Sequence, residues 1–152
     1  MKKRIDWKKL IVSFVIVFLV AFIGSFLTRN VKTSWYESIK PGLTPPNYVF
    51  PIVWNILFLL IALSLYFAWK TGKKKKVVLE LFAVNFILNV VWSLLFFELK
   101  NPLLAFIEIF FLLASILVLV VYLRKINKIS SWMLVPYLIW VGFASVLNYL
   151  AI

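Results

Sequence analysis

Five apolar runs, each long enough to cross a bilayer, limit what this chain can become more than any other feature. At a rise of 1.5 Å per residue, a hydrocarbon layer of ~30 Å takes about 20 helical residues. Residues 10–27, 48–69, 77–99, 102–123 and 132–150 fit that length. Inside lipid the backbone has no water to bond, so each run must satisfy its own N–H and C=O groups as a helix. All are far too long for barrel strands. The expected fold class is therefore all-α: one domain over residues 1–152, an integral membrane five-transmembrane-helix bundle. Composition agrees, since 64% of the residues are hydrophobic against about 45–50% in soluble domains.

Charge is read against those runs. The net charge of +12 would suggest nucleic acid in a soluble protein. Here the basic residues form short clusters between spans, with no folded domain to present them, which argues against DNA or RNA. Lys2, Lys3, Arg4, Lys8, Lys9, Lys70, Lys73 to Lys76, Arg124, Lys125 and Lys128 fall on one side of the membrane. Arg29, Lys32, Lys40 and Lys100 fall on the other. Thirteen against four puts the N-terminus in the cytoplasm and the C-terminus outside. The start resembles a signal peptide, but its apolar run is long and no clear cleavage site follows, so it is read as a span. The run Lys73 to Lys76 is read as a topology signal before an anionic-lipid site. Connections are short, which makes sequential spans antiparallel. No internal repeat is evident, which argues against a repeat-built transporter.

Composition excludes several chemistries. The chain has no cysteine and no histidine, which removes thiol nucleophiles, disulfides and the commonest zinc ligands. Five acidic residues are too few and too scattered for a carboxylate metal site, so no metal is expected. Nothing resembles a general acid–base pair.

Candidate functional residues lie where the spans depart from plain hydrocarbon. Between Trp35 and Trp54 stand Pro41, Pro45, Pro46 and Pro51, a stiff aromatic segment that reads as a lid leading into span two. Pro51 is expected beyond the first turn, distorting that helix. Trp54 lies too deep to serve only as an interface anchor. In span three, Asn85, Asn89 and Trp92 share one face. In span five, Pro136, Trp140, Ala144 and Asn148 form one stripe, and Pro136 is expected to kink the helix. These faces read either as interhelical packing and hydrogen bonding or as a ligand surface. Trp54, Trp92 and Trp140 together suit a flat, apolar molecule. Glu108, inside span four, is either functional or a neutral or paired structural group.

With these residues assembled, the chain resembles the TspO family of translocator or tryptophan-rich sensory proteins, also called peripheral benzodiazepine receptors. The motifs are Trp35-Tyr36 with Lys40-Pro41, Pro45-Pro46, and Phe50-Pro51-x-x-Trp54. They continue as Asn89-x-x-Trp92, Phe96-Phe97 and Pro136-Tyr137-x-x-Trp140-x-x-Phe143-Ala144-x-x-x-Asn148-Tyr149. They cover the chain from about Trp35 to Tyr149, all but span one. The resemblance implies a homodimer with a pocket beneath the first loop and a porphyrin such as protoporphyrin IX as ligand, with no cofactor required. It places Trp54, Asn89, Trp140 and Ala144 in the pocket and Trp35 and Pro46 at the loop and its junction. Phe50, Trp92, Phe96 and Asn148, from the same motifs and faces, complete the expected ligand-binding set. It also matches Glu108 to an acidic position in the fourth helix.

The basic residue that follows Tyr149 in animal members is absent, which argues against sterol as the main ligand. With the short termini, it points to a prokaryotic cell membrane. The lack of histidine favours a metal-free porphyrin over haem. Three functions follow as expectations. The first is a tetrapyrrole-binding sensor or translocator, with Lys40 at the lid either a propionate partner or a cation snorkelling to the interface. The second is a light-dependent protoporphyrin-degrading enzyme, with Trp54 and Trp140 as candidate catalytic residues. The third is a structural or regulatory partner of another membrane complex.

Overall fold

The computed structural model describes residues 4–29 and 33–152. Lys2, Lys3 and Lys32, which entered the topology count, lie outside the described residues. The chain forms α1 (Trp7–Leu27), α2 (Ser34–Ile39), α3 (Val49–Lys70) and α4 (Lys75–Ser93). A π-helical turn (Leu94–Glu98) prolongs α4, and α5 (Pro102–Ile126), α6 (Lys128–Met133) and α7 (Val135–Leu150) follow. Among the described residues, five helical stretches are long and apolar enough to span a membrane, α6 and α7 counting as one. The molecule is a five-helix bundle.

Local chemistry sets the ends of these elements. The Asp6 carboxylate accepts the Lys9 N–H at 3.1 Å and caps α1. That contact with the backbone is the main reason the Asp6 carboxyl is held below the usual carboxylate range. Asn101 caps α5 by accepting the Leu104 N–H at 3.0 Å, with Pro102 at the first helical position, where a missing N–H costs nothing. Asn127 does the same for α6 through the Ser130 N–H at 3.0 Å.

Two proline expectations resolve differently. Pro51 falls within the first turn of α3, which begins at Val49. That turn's N–H groups have no intrahelical partner, so Pro51 fits without distorting the helix. Pro136 does interrupt span five. The helix stops at Met133, Leu134 forms a turn, and α7 restarts with Pro136 in its first turn. A proline cannot donate to the preceding turn and clashes with it, so the break falls just ahead of the ring. The helical stretch also starts at Lys128, four residues before the expected boundary at Trp132.

The bundle is packed unevenly along its length. α1 packs on α3 and touches α4; α5 lies between α4 and the α6–α7 pair. At the end holding the α3–α4 connection, Val17, Ile61, Leu65, Phe82, Leu119 and Leu134 are at most 1% exposed. There Ser64 donates to the Ser130 carbonyl at 2.8 Å, and Ser130 donates to the Ser64 carbonyl at 2.6 Å. Ser131 donates to the Val120 carbonyl at 2.6 Å. Three small side chains thus bring α6 against α3 and α5 with their hydroxyls satisfied. The opposite end, under α2 and the loop that follows it, is hollow.

Candidate functional site

The hollow end contains a cavity of about 850 Å³, within the usual range for small-molecule sites. Its walls come from five places. α1 contributes Ala21, Gly24 and Ser25, with Thr28 and Arg29 just beyond its end. Tyr36 and the loop residues Pro41, Thr44, Asn47 and Tyr48 form the cover. α3 supplies Phe50, Pro51, Trp54, Asn55 and Phe58. α4 and the π turn supply Asn89, Trp92, Ser93, Phe96 and Phe97. α7 supplies Trp140, Ala144, Leu147 and Asn148.

Aromatic contacts hold the walls in place. Phe50 meets Trp140 edge-on at 5.8 Å between ring centroids, linking α3 to α7. Trp54 lies 6.2 Å from Tyr137, again edge-on. Trp92 stacks on Phe96 at 5.2 Å, and Phe96 in turn meets Tyr36 and Trp35. The π turn makes the last contacts fit. Its wider winding buries the consecutive residues Phe96 and Phe97, 5% and 8% exposed. The Leu99 N–H reaches back five residues to the Leu94 carbonyl at 2.9 Å. Such turns recur at functional sites because they re-aim side chains without ending the helix.

The polar groups fall into two sets. Trp92 Nε1 donates to Asn148 Oδ1 at 3.0 Å, and Asn148 Nδ2 donates to the Pro102 carbonyl at 2.8 Å. That set closes on itself. The second set runs from the protein interior towards the cavity. Ser115 donates to the Leu112 carbonyl at 2.7 Å, so its oxygen accepts from Asn85 Nδ2 at 2.9 Å. Asn85 Oδ1 accepts the Tyr137 hydroxyl at 3.2 Å, and that oxygen accepts from Asn89 Nδ2 at 3.0 Å. A carbonyl can only accept, so the Leu112 carbonyl sets the direction of the whole chain. The side-chain oxygen of Asn89 is left for the cavity. Trp54 and Trp140 donate to no group among the described residues, so both indole N–H groups are available there. Burial, with a smaller contribution from Glu37, pushes the Tyr36 phenol up, which keeps it a neutral hydroxyl.

Of the residues expected from sequence, Phe50, Trp54, Asn89, Trp92, Phe96, Trp140, Ala144 and Asn148 all face this cavity. Trp35 stands behind Phe96 at 5.9 Å, with the Lys100 ammonium 5.9 Å from its ring. Pro46 is exposed at the loop junction, and its carbonyl accepts the Val49 N–H at 2.9 Å. Glu108 is 8% exposed, lies outside the cavity, and neither carboxylate oxygen has a hydrogen-bond partner among the described residues. Lys40, read as a propionate partner or a snorkelling cation, contacts Asn47 Oδ1 at 3.4 Å and Glu37 at 3.8 Å. Among the described residues no three His, Cys, Asp or Glu side chains converge as a metal site.

Sequence reasoning missed the whole α1 wall. The signal was there: Gly24, Ser25 and Thr28 interrupt an otherwise bulky run at spacings that share a face. A Cβ added at Gly24 meets nothing within 4 Å, as expected for a position facing open space.

Comparison with known proteins places the chain. The model of the TspO/MBR family matches residues 13–151. The tryptophan-rich protein TspO of Archaeoglobus fulgidus is 39% identical over 143 residues, 93% of each chain. The protein of the same name from Chlorobaculum tepidum is 39% identical over 135 residues, covering 86% of this chain and 85% of the relative. The translocator protein of Ovis aries is 29% identical over 133 residues, covering 84% and 79%. With a match across nearly its whole length, the chain belongs to the TspO/MBR family.

Proposed function

We propose that this membrane protein binds a tetrapyrrole, with protoporphyrin IX as the representative ligand, and acts as its sensor or translocator. One observation carries the reading. A cavity of about 850 Å³ is walled by Trp54, Trp92, Trp140, Phe50 and Phe96, with Asn89 and two indole N–H groups as the polar handles. A flat macrocycle offers large faces to such rings and a few polar atoms to such handles. The chain has no histidine to serve as an axial ligand, so a metal-free macrocycle suits the site better than haem. The N-terminus lies in the cytoplasm, the cavity opens towards the outer side, and two copies associate as a homodimer in this reading.

Titration of the purified protein with protoporphyrin IX, followed by tryptophan fluorescence, tests it. Saturable quenching is expected, and its absence overturns the proposal. Replacing Ala144 with Thr adds bulk to the cavity wall, and affinity falls by roughly tenfold. Equal dissociation constants would contradict that placement.

A second reading draws on the same indoles. Trp54 and Trp140 face the cavity with free N–H groups, positioned to exchange electrons with a photoexcited macrocycle. Loss of the porphyrin absorption band in light, dependent on the protein and absent in the dark, would favour a light-dependent degrading activity over simple binding.

A further inference from the structure

We propose that Arg29 anchors a carboxylate of the ligand at the mouth of the cavity, and that Glu98 occupies it while the cavity is empty. Arg29 is the one charged side chain among the described residues lining the cavity. It lies just past the end of α1 at Leu27, on the same end of the bundle as the loop before α3. The cavity lining at that end also includes Thr28, Thr44 and Asn47, along with Pro41 and Tyr48. The Thr44 hydroxyl is buried with no hydrogen-bond partner among the described residues. The rings of Trp54, Trp92 and Trp140 lie on the spans below. The cavity is therefore largely aromatic inside, with neutral polar handles such as Asn89, and its charge and the Thr44 hydroxyl lie at the rim. That polarity selects an apolar body with an acidic substituent at one edge, oriented acid outward.

The present partners of Arg29 are loose. Its side chain is 55% exposed, and Nη2 lies 3.6 Å from Glu98 Oε1. The guanidinium also lies 4.2 Å from the centroid of the Phe26 ring, which holds its plane near α1 without using its in-plane donors. Glu98 Oε1 is buried without a hydrogen-bond partner among the described residues, and at 3.6 Å the pair is too long to satisfy it or the guanidinium donors. A ligand carboxylate reaching the same fork in bidentate geometry binds more strongly. Glu98 closes the π turn that carries Phe96 and Phe97.

The proposal rests on the tetrapyrrole reading for its probe. The test compares protoporphyrin IX with its dimethyl ester, on full-length protein in zwitterionic phosphatidylcholine nanodiscs, by tryptophan quenching. Arg29→Gln is expected to weaken the diacid about tenfold, the scale of one charge-assisted contact, and to leave the diester unchanged. Glu98→Gln removes the competitor and is expected to tighten the diacid severalfold, again without effect on the diester. A purely structural ion pair predicts that both substitutions weaken binding alike. That outcome, or a diacid affinity unchanged by Arg29→Gln, overturns the anchor while leaving the cavity reading intact. If neither form binds saturably to the wild type, the tetrapyrrole reading itself falls and the anchor with it.

Discussion

Tyr137 shows how one hydroxyl can hold three helices. It accepts from Asn89 and donates to Asn85 on α4, and Asn85 in turn donates to Ser115 on α5. Tyr137→Phe leaves the Asn85 amide oxygen and an Asn89 amide N–H without their buried partner. The expected loss is about 1–3 kcal/mol, read as a lower midpoint in thermal unfolding of the detergent-solubilised protein. Glu108 is the opposite case. Its two oxygens are buried without partners, so Glu108→Leu removes a cost and is expected to raise that midpoint by several degrees. Because Glu108 does not face the cavity, the dissociation constant for protoporphyrin IX should stay within about twofold. A stability loss, or a large change in affinity, would show that the carboxylate has a role of its own.

At the scale of elements, the spans were legible because apolar length in a bilayer leaves the backbone little choice. The break before Pro136 was legible because a proline ring has a fixed steric consequence. The π turn was not, because Leu94-Leu95-Phe96-Phe97-Glu98 carries no residue that forbids an ordinary helix. Its winding follows from tertiary demand, the packing of Phe96 and Phe97 on Trp92 and Tyr36. Deleting Leu95 removes the extra residue and lets the segment wind as α-helix with the preceding turns in register. Helix content by circular dichroism should be unchanged while porphyrin affinity falls about tenfold, the scale of one or two lost ring contacts. Retained affinity would mean that the π turn is incidental to the site. The candidate site was legible on α3, α4 and α7, where Trp and Asn stand out against hydrocarbon. On α1 it was masked, because small residues mark an absence of bulk rather than a chemistry, and Arg29 read as one more flanking charge.

At the scale of the whole molecule, orientation is directly testable because the chain has no cysteine of its own. Gly42→Cys is favourable, since a side chain there meets nothing within 4 Å, and Lys73 offers an exposed position on the opposite connection. A membrane-impermeant maleimide should label the first in intact cells and the second only after lysis. The reverse pattern would invert the topology and place the cavity mouth in the cytoplasm. The uneven packing along the bundle has a further consequence. Ser64 and Ser130 exchange hydrogen bonds across a base where Val17, Ile61, Leu65, Phe82, Leu119 and Leu134 leave almost no exposed surface. The cavity is a cul-de-sac. A guest moving straight through to the far face would have to part that base, so the natural route of exchange is back through the loop end or sideways into lipid. On the proposed tetrapyrrole reading, such a bundle would work as a cup does, taking up and releasing its guest without passing it through the closed base.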